Sequence, residues 1–194
     1  MSTESKNSKT HWRTTRDEAI LVVIDVQERL AVHVHDEKLV QSNVARLVRG
    51  SHVLGVPALL TEQYPRGIGS TTEVVRLAFE ETWGFAPIQK LSFSAVGVDA
   101  FDRAIEAARR RRIVMAGIET HVCIHQTAMD LLERGFDVTI VADAVSSRTE
   151  RNRDLALRRL ESAGAALSST EMILFEMCVV SGTDEFRAIS KLVK

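Results

Sequence analysis

The feature that most constrains the fold is a run of six consecutive apolar residues, AILVVI, at positions 19–24. Four of the six are β-branched, and the run ends abruptly at Asp25. A short, continuously apolar and β-branched run is typical of a strand that is buried on both faces, as in a parallel sheet. We therefore expect residues 19–24 to form a central strand with Asp25 at its carboxyl end.

Further strands and helices alternate along the chain. Strands are expected at 57–62, 87–90, 112–117, 137–143 and 165–169. Helices are expected at 37–54, from Thr71 or Thr72 to about 80, from a cap at Asp99 to 111, at 123–134, at 150–162, and in a terminal region from 171. Helices between successive strands imply a mostly parallel sheet covered on both faces. The predicted fold is a three-layer α/β/α sandwich with a six-stranded sheet, Rossmann-like in its winding.

Composition limits the class of protein. The 194 residues fit one domain, which we place at 19–194 after a polar tail at 1–18 that is loosely ordered or reaches a neighbouring subunit. The 25 basic and 26 acidic residues give no sign of a nucleic-acid partner. No apolar run reaches the roughly 18 residues of a membrane span, so no membrane partner is expected. Two cysteines without a repeated spacing favour the reducing cytoplasm.

One of the cysteines, Cys123, follows the predicted strand at 112–117 and begins the predicted helix at 123–134. A thiol at a helix N-terminus lies near unpaired backbone N–H groups and the positive end of the helix dipole, which favour the thiolate. The thiolate is the nucleophilic form of cysteine. The alternative is that Cys123 is a small buried apolar residue.

Polar residues at the other strand ends bear on this choice. In an open parallel sheet, ligands bind outside the carboxyl ends of the strands. Asp25, Glu62 with Gln63, and Lys90 all lie at such ends. A cysteine nucleophile needs a proton acceptor, which Asp25 would supply, and a cation such as Lys90 would hold both anions. The alternative is an ordinary ion pair between Asp25 and Lys90.

Four blocks of sequence, VVIDVQ, TEQYPRGIG, QKLSFSA and MAGIETHVCIHQTAMDLLERGFDVTIVADAVSSR, resemble the isochorismatase-like cysteine hydrolases, in particular the isochorismatase domain-containing branch. The resemblance covers residues 19 to 177. It implies a catalytic triad of Asp25 as base, Lys90, and Cys123 as nucleophile. It also implies a cis peptide bond between Ile118 and Glu119, and an oxyanion hole formed by the backbone N–H groups of Glu119 and Cys123.

For a member with a cysteine nucleophile, the resemblance implies hydrolysis of a small amide or related C–N bond through a thioester-type intermediate, without a cofactor. Isochorismatases of the same family hydrolyse a vinyl ether and need no cysteine nucleophile, so the reaction does not follow from the family alone. Related nicotinamidases carry an Asp-x-His metal motif after the second strand, whereas this chain has Glu62 and Gln63 there, so no metal is expected. A homo-oligomer is expected. The candidate substrate contacts are Gln27, Gln63, Tyr64, Phe93 and His121. The alternatives are a non-catalytic oligomeric scaffold and a redox-sensing thiol protein.

Overall fold

A computed structural model describes residues 13–194, and its centre is a six-stranded sheet in which every neighbouring pair is parallel. The strand order is β3-β2-β1-β4-β5-β6. The strands are β1 (Ala19–Ile24), β2 (Ala58–Gln63), β3 (Ile88–Lys90), β4 (Arg112–Ile118), β5 (Asp137–Ser146) and β6 (Ala166–Ser168). The predicted six-stranded α/β fold is confirmed.

Helices connect the strands and cover both faces of the sheet. The α-helices are α1 (Glu28–Ala31), α2 (Glu37–Val53), α3 (Pro65–Ile68), α4 (Glu73–Glu80), α5 (Asp99–Ala108), α6 (His125–Glu133), α7 (Glu150–Ser162), α8 (Thr170–Cys178) and α9 (Asp184–Leu192). A five-residue π-helical turn, Thr120–Ile124, precedes α6.

Strand β1 shows why the sheet needs two helical layers. Leu21 and Val23 belong to a core cluster with residues of α2, α4, α8 and α9. Ile20, Val22 and Ile24 belong to a second cluster with residues of α5, α6 and α7. Because successive side chains of a strand point to opposite faces, an all-apolar strand buries both of its faces.

The winding direction reverses between β1 and β4. The chain proceeds outward from β1 through β2 to β3, then returns to place β4 on the other side of β1. At this junction Gly117 is paired with Ile24 and has φ +120°. A Cβ on Gly117 would lie 2.0 Å from the Ile24 carbonyl oxygen, so only glycine fits there. The reversal opens a crevice at the carboxyl edge, where ligands bind in such sheets.

Several predicted boundaries needed correction. Strand β2 begins at Ala58 rather than Pro57, and β5 continues beyond residue 143 to Ser146. Asp99 is the first residue of α5, and the N-cap position is Val98. Thr72 is the N-cap of α4, but its side chain makes no capping hydrogen bond. The Thr71 hydroxyl instead donates to the Glu62 carboxylate at 2.7 Å.

The segment before β1 was predicted to be loosely ordered or to reach another subunit. From residue 14 onward it packs on the C-terminal helices, because the Arg16 guanidinium donates to both Glu185 carboxylate oxygens at 2.9 and 2.8 Å. The Thr14 N–H also donates to Glu176. The prediction of loose order is therefore wrong for residues 14–18, and the rest of that prediction lies at residues 1–12, outside the described chain. Within residues 13–194, the search for a helix long and apolar enough to span a membrane found none.

Candidate active site

Asp25 follows β1 directly and is completely buried. Its φ of 52° lies in the left-handed region, which is uncommon for a residue with a side chain. Its backbone N–H donates to the Thr61 carbonyl at 3.2 Å, and the Thr61 hydroxyl donates to Asp25 Oδ1 at 2.7 Å. Strand β2 therefore fixes the carboxylate. In the sequence, the only indication of this contact is that Thr61 directly precedes Glu62 near the end of the predicted strand, and Thr61 was not identified as a site residue.

Lys90 is the last residue of β3, two strands away from Asp25. Its side chain is fully buried, and its ammonium donates to Asp25 Oδ2 at 2.6 Å. It also donates to Gln63 Oε1 at 2.8 Å and to the Phe93 carbonyl at 3.0 Å. An ammonium has three N–H donors, so these contacts use all of them. The sheet thus brings the predicted acid and cation into direct contact.

Cys123 lies in the π-helical turn and is 4% exposed. The charges of Asp25 and Lys90 both act on its thiol, so the third predicted residue lies beside the other two. Burial, followed by the negative charge of Asp25, raises the pKa of the Cys123 thiol to about 12, while the positive charge of Lys90 acts in the opposite direction.

The predicted position of Cys123 at the first residue of a regular α-helix is wrong. Helix α6 begins at His125, so Cys123 does not occupy the first turn of that helix. Desolvation of a buried thiolate outweighs the attraction of a nearby dipole. Burial and the charge of Asp25 therefore both favour the neutral thiol at Cys123.

The turn that carries Cys123 is joined to β4 by a cis peptide bond between Ile118 and Glu119. The Glu119 carbonyl accepts hydrogen bonds from the backbone N–H groups of Val122 and Ile124 at 3.1 and 3.2 Å. The Glu119 side chain is buried and accepts a hydrogen bond from Arg148 Nε at 3.2 Å. Sequence reasoning did not single out Arg148, which lies in the loop after β5.

Two of the five candidate substrate contacts, Gln27 and Gln63, have their polar atoms engaged within the protein. Gln27 Nε2 donates to the carbonyls of Gln63 and Gly69 at 3.0 and 2.6 Å, and Gln27 Oε1 accepts from the Gln63 N–H at 2.7 Å. Gln63 Oε1 accepts from Lys90, and its Nε2 donates to the Leu91 carbonyl at 2.7 Å. The side-chain nitrogen and oxygen of both glutamines are therefore hydrogen-bonded within the protein.

The other three candidates lie in the loops around the cluster. Tyr64 is 49% exposed and Phe93 is 54% exposed. His121 is half-buried, and its Nδ1 lies 2.9 Å from the Ser147 hydroxyl, a contact missed in the sequence. A cavity of about 340 Å³ adjoins the cluster and is lined by Tyr64, Pro65, Arg66, Gln89, Lys90 and Leu91.

The position that carries a metal motif in nicotinamidases has a different role here. Glu62 is buried, and its Oε1 accepts hydrogen bonds from the Thr71 N–H at 2.8 Å, the Thr71 hydroxyl at 2.7 Å and the Ser70 hydroxyl at 3.2 Å. Its carboxylate therefore anchors the loop that follows α3. Between residues 13 and 194 no group of three or more His, Cys, Asp or Glu side chains is arranged to hold a metal ion.

The fold and this cluster define a class of protein: a doubly wound α/β protein with its polar site at the carboxyl edge of the sheet, where the winding reverses. A family model described as the isochorismatase domain matches residues 19–172. The chain belongs to the isochorismatase family, and within that superfamily the findings support a hydrolase.

Relatives extend the match over nearly the whole chain. The secreted isochorismatase effector Isc1 of Phytophthora sojae is 35% identical, with 100% of this chain and 93% of the relative covered. Isochorismatase domain-containing protein 2 of Danio rerio is 38% identical, with 90% and 86% covered. These matches support the predicted branch of the family.

Solved structures of other proteins have the same fold as this chain. MAR1 ribonuclease from Caenorhabditis elegans superposes with a TM-score of 0.85 at 32% identity, covering 93% of this chain and 92% of its own. YcaC from Pseudomonas aeruginosa, solved with hexane-2,5-diol and covalent acrylamide, gives 0.85 at 26% identity, covering 95% and 93%. The Escherichia coli YcaC gene product, described as an octameric hydrolase of unknown specificity, gives 0.86 at 26% identity, covering 95% and 91%.

Proposed function

We propose that this protein is a metal-independent cysteine hydrolase that cleaves a small amide or a related C–N bond. The observation that carries the proposal is the buried contact of one thiol, one carboxylate and one ammonium, from Cys123, Asp25 and Lys90, at the carboxyl edge of the sheet. A nucleophile within hydrogen-bond reach of a base, with the base oriented by a third group, is the arrangement that nucleophilic catalysis requires.

The first half-reaction forms a thioester. Asp25 accepts the thiol proton as Cys123 Sγ attacks the amide carbonyl carbon, and the carbonyl oxygen becomes an oxyanion. We assign the backbone N–H groups of Glu119 and Cys123 to that oxyanion, because Cys123 lies in the π-helical turn and Glu119 is the residue that caps it. The tetrahedral intermediate collapses, the C–N bond breaks, and Asp25 returns the proton to the departing amine.

The second half-reaction releases the acyl group. Asp25 takes a proton from water, the hydroxide attacks the thioester carbonyl, and the C–S bond breaks to give a carboxylic acid and the free thiol. Lys90 stabilises whichever anion is present, first the carboxylate and then the thiolate. All three Lys90 N–H donors are engaged within the protein, so its role is electrostatic rather than transfer of a proton.

The high pKa of Cys123 fits this sequence of steps. A thiol with a pKa of about 12 carries almost no thiolate at neutral pH, so attack requires proton transfer to Asp25 at the moment of reaction. A thiolate formed in this way is a stronger nucleophile than one from a thiol of low pKa. Cys123 therefore reacts through proton transfer to Asp25 rather than as a preformed thiolate.

The size of the adjoining cavity supports a small substrate. The cavity of about 340 Å³ beside Lys90 lies at the small end of the range for ligand pockets. Tyr64 lines this cavity and would supply apolar contact, whereas Phe93 and His121 are outside its lining. The P. aeruginosa neighbour was solved with covalent acrylamide, a small electrophile, which supports a reactive nucleophile in a site of this fold. Metal independence is supported by the loop-anchoring role of Glu62.

The two alternative functions explain the cluster less well. Redox-sensor cysteines are accessible and have low pKa values, whereas Cys123 is buried with a high one. A scaffold would gain little from a buried ion pair, because removing two charges from water costs several kcal/mol per ion before their attraction offsets it. A cysteine hydrolase accounts for both observations.

The test is a mass-spectrometric screen for acyl adducts on Cys123 across a library of small amides, with amine release measured in parallel. We expect the adduct and the amine with wild-type protein and with Cys178→Ala, and neither with Cys123→Ala. Cys178 is the matched control because it is the other cysteine and is equally buried. The absence of adduct and turnover across the whole library, with Cys123 still a free thiol, would refute the proposal.

Two further expectations belong with this function. We propose a homo-oligomer, supported by the octameric E. coli neighbour, and light scattering would test it. We also propose a cytoplasmic location without a nucleic-acid partner. One relative is described as a secreted effector and one neighbour as a ribonuclease, so fractionation and an RNA cleavage assay are direct tests.

A further inference from the structure

The surroundings of the Lys90 ammonium distinguish this site from a simple ion pair. Three acceptors lie within 3.0 Å of Lys90 Nζ: Asp25 Oδ2, Gln63 Oε1 and the Phe93 carbonyl. Only Asp25 is charged. The Gln63 side chain supplies a neutral acceptor from the end of the neighbouring strand, so it fixes the ammonium without competing with Asp25 for the charge.

The amide of Gln63 is oriented by its own contacts. An ammonium only donates hydrogen bonds, so the Gln63 oxygen must face Lys90. The Gln63 nitrogen then donates to the Leu91 carbonyl at 2.7 Å. These two contacts fix both the oxygen and the nitrogen of the Gln63 amide, one on the last residue of β3 and the other on the residue that follows it.

Gln27 holds Gln63 in turn, through the backbone. The fully buried Gln27 amide accepts from the Gln63 N–H at 2.7 Å and donates to the Gln63 carbonyl at 3.0 Å. Its second N–H donates to the Gly69 carbonyl at 2.6 Å. Gln27 therefore joins the buried end of β2 to the loop after α3.

We propose that Gln27 and Gln63 form a positioning relay that holds the Lys90 ammonium against Asp25 and the Cys123 thiol. The relay deepens the proposed function and rests on it for the role of Asp25 as base. It assigns both glutamines to orienting Lys90 rather than to touching substrate. It also gives a reason for an uncharged amide at position 63: a carboxylate there would place a second negative charge on the same ammonium.

The charge at position 63 is tested by Gln63→Glu, which keeps the side-chain length and adds one negative charge. A like charge near a thiol disfavours the thiolate. We expect alkylation of Cys123 by iodoacetamide at pH 7, resolved by peptide mass spectrometry, to slow by roughly tenfold or more. The comparison is repeated from pH 6 to 9. If the added charge is the cause, the alkylation rate of Gln63→Glu should be lower than that of wild type by the same factor at every pH, because both rates follow the thiolate fraction of Cys123.

The matched control is Gln126→Glu. Gln126 lies in α6, three residues after Cys123, but its side chain is exposed, so the same substitution places the new charge in water. We expect its alkylation rate to stay within about twofold of wild type, because exposed charges are screened. Equal rates for Gln63→Glu and Gln126→Glu would overturn the relay.

A second variant, Gln63→Met, removes the acceptor without adding charge and covers the case in which Gln63→Glu does not fold. In wild type and Gln126→Glu we expect a slowly exchanging Lys90 ammonium signal in ¹H–¹⁵N spectra, because the group is buried and fully bonded. In Gln63→Met that signal should broaden or vanish while circular dichroism is unchanged. An unaltered signal would also overturn the relay.

These readouts need no substrate, so they separate two kinds of failure. If wild-type protein forms no acyl adduct with any amide, the hydrolase proposal fails whatever the glutamine variants do. If acyl adducts form but the glutamine variants alkylate like wild type, the hydrolase proposal stands and the relay fails.

Discussion

Replacing Asp25 with asparagine should change the reactivity of Cys123 in two opposite ways. The charge of Asp25 and its hydrogen bond to the thiol both raise the pKa of Cys123, whereas Lys90 lowers it. In Asp25→Asn the lowering influence remains and the two raising ones are removed. The pKa of the thiol should therefore fall, yet turnover should be lost because no base remains to accept the proton.

The size of the fall follows from Coulomb's law. Two unit charges about 4 Å apart interact by about 4 kcal/mol at an effective dielectric constant of about 20. Since about 1.4 kcal/mol corresponds to one tenfold step in the thiolate equilibrium, the pKa of Cys123 should move from about 12 toward roughly 9. Desolvation, the largest cause of the raised pKa, is not altered by the substitution. The unpaired Lys90 should also lower the free energy of unfolding by about 3 to 5 kcal/mol.

The assay is a pH titration of thiolate ultraviolet absorbance in a Cys178→Ala background, where Cys123 is the only thiol. The control is Thr61→Val, which removes a neutral hydrogen bond to Asp25 but keeps its charge. The control should leave the pKa of Cys123 near 12. If Asp25→Asn leaves that pKa at or above 12, Asp25 does not act on the thiol and the electrostatic reasoning is wrong.

Four further substitutions, one of them a control, test the fold and the site. Gly117→Ala should lower the unfolding free energy by about 3 kcal/mol or more, because its Cβ would meet the Ile24 backbone. Gly97→Ala, with a φ of +88° but open space around it, should cost only about 1 to 2 kcal/mol in the same urea titration. Cys123→Ala should remove a loss of stability that wild type shows at alkaline pH. Because the pKa of the Cys123 thiol is raised in the folded protein, the stability that this thiol contributes is full below pH 8 and disappears toward pH 12. Wild type should therefore lose up to about 4 kcal/mol relative to Cys123→Ala over that range, and matching urea curves at pH 8 and 10.5 would contradict this. Glu62→Ala should speed proteolysis of the loop after α3, because three hydrogen bonds are removed, and an unchanged cleavage rate would show that the carboxylate does not anchor it.

The sequence by itself determined the layered architecture. Apolar runs such as 19–24 must be buried on both faces, and the helices between them must supply both covers. The same logic placed Asp25 and Lys90 at strand ends on one edge of the sheet. Its limits appeared at boundaries such as Asp99 and Ser146, where local propensity competes with the hydrogen bonds of neighbouring segments.

Only the tertiary structure decided the chemical state of the site. Whether Cys123 rests as a thiol or a thiolate depends on its burial and on its distance from a carboxylate 98 positions earlier in the chain, which no local pattern encodes. The same holds for Gln27 and Gln63. The sequence predicts both as substrate contacts, but in the structure their amides hydrogen-bond within the protein. Residue types in the sequence indicate which chemistry is available. Desolvation and hydrogen-bond partners set the protonation state and orientation of each side chain, and they arise only when distant segments pack together.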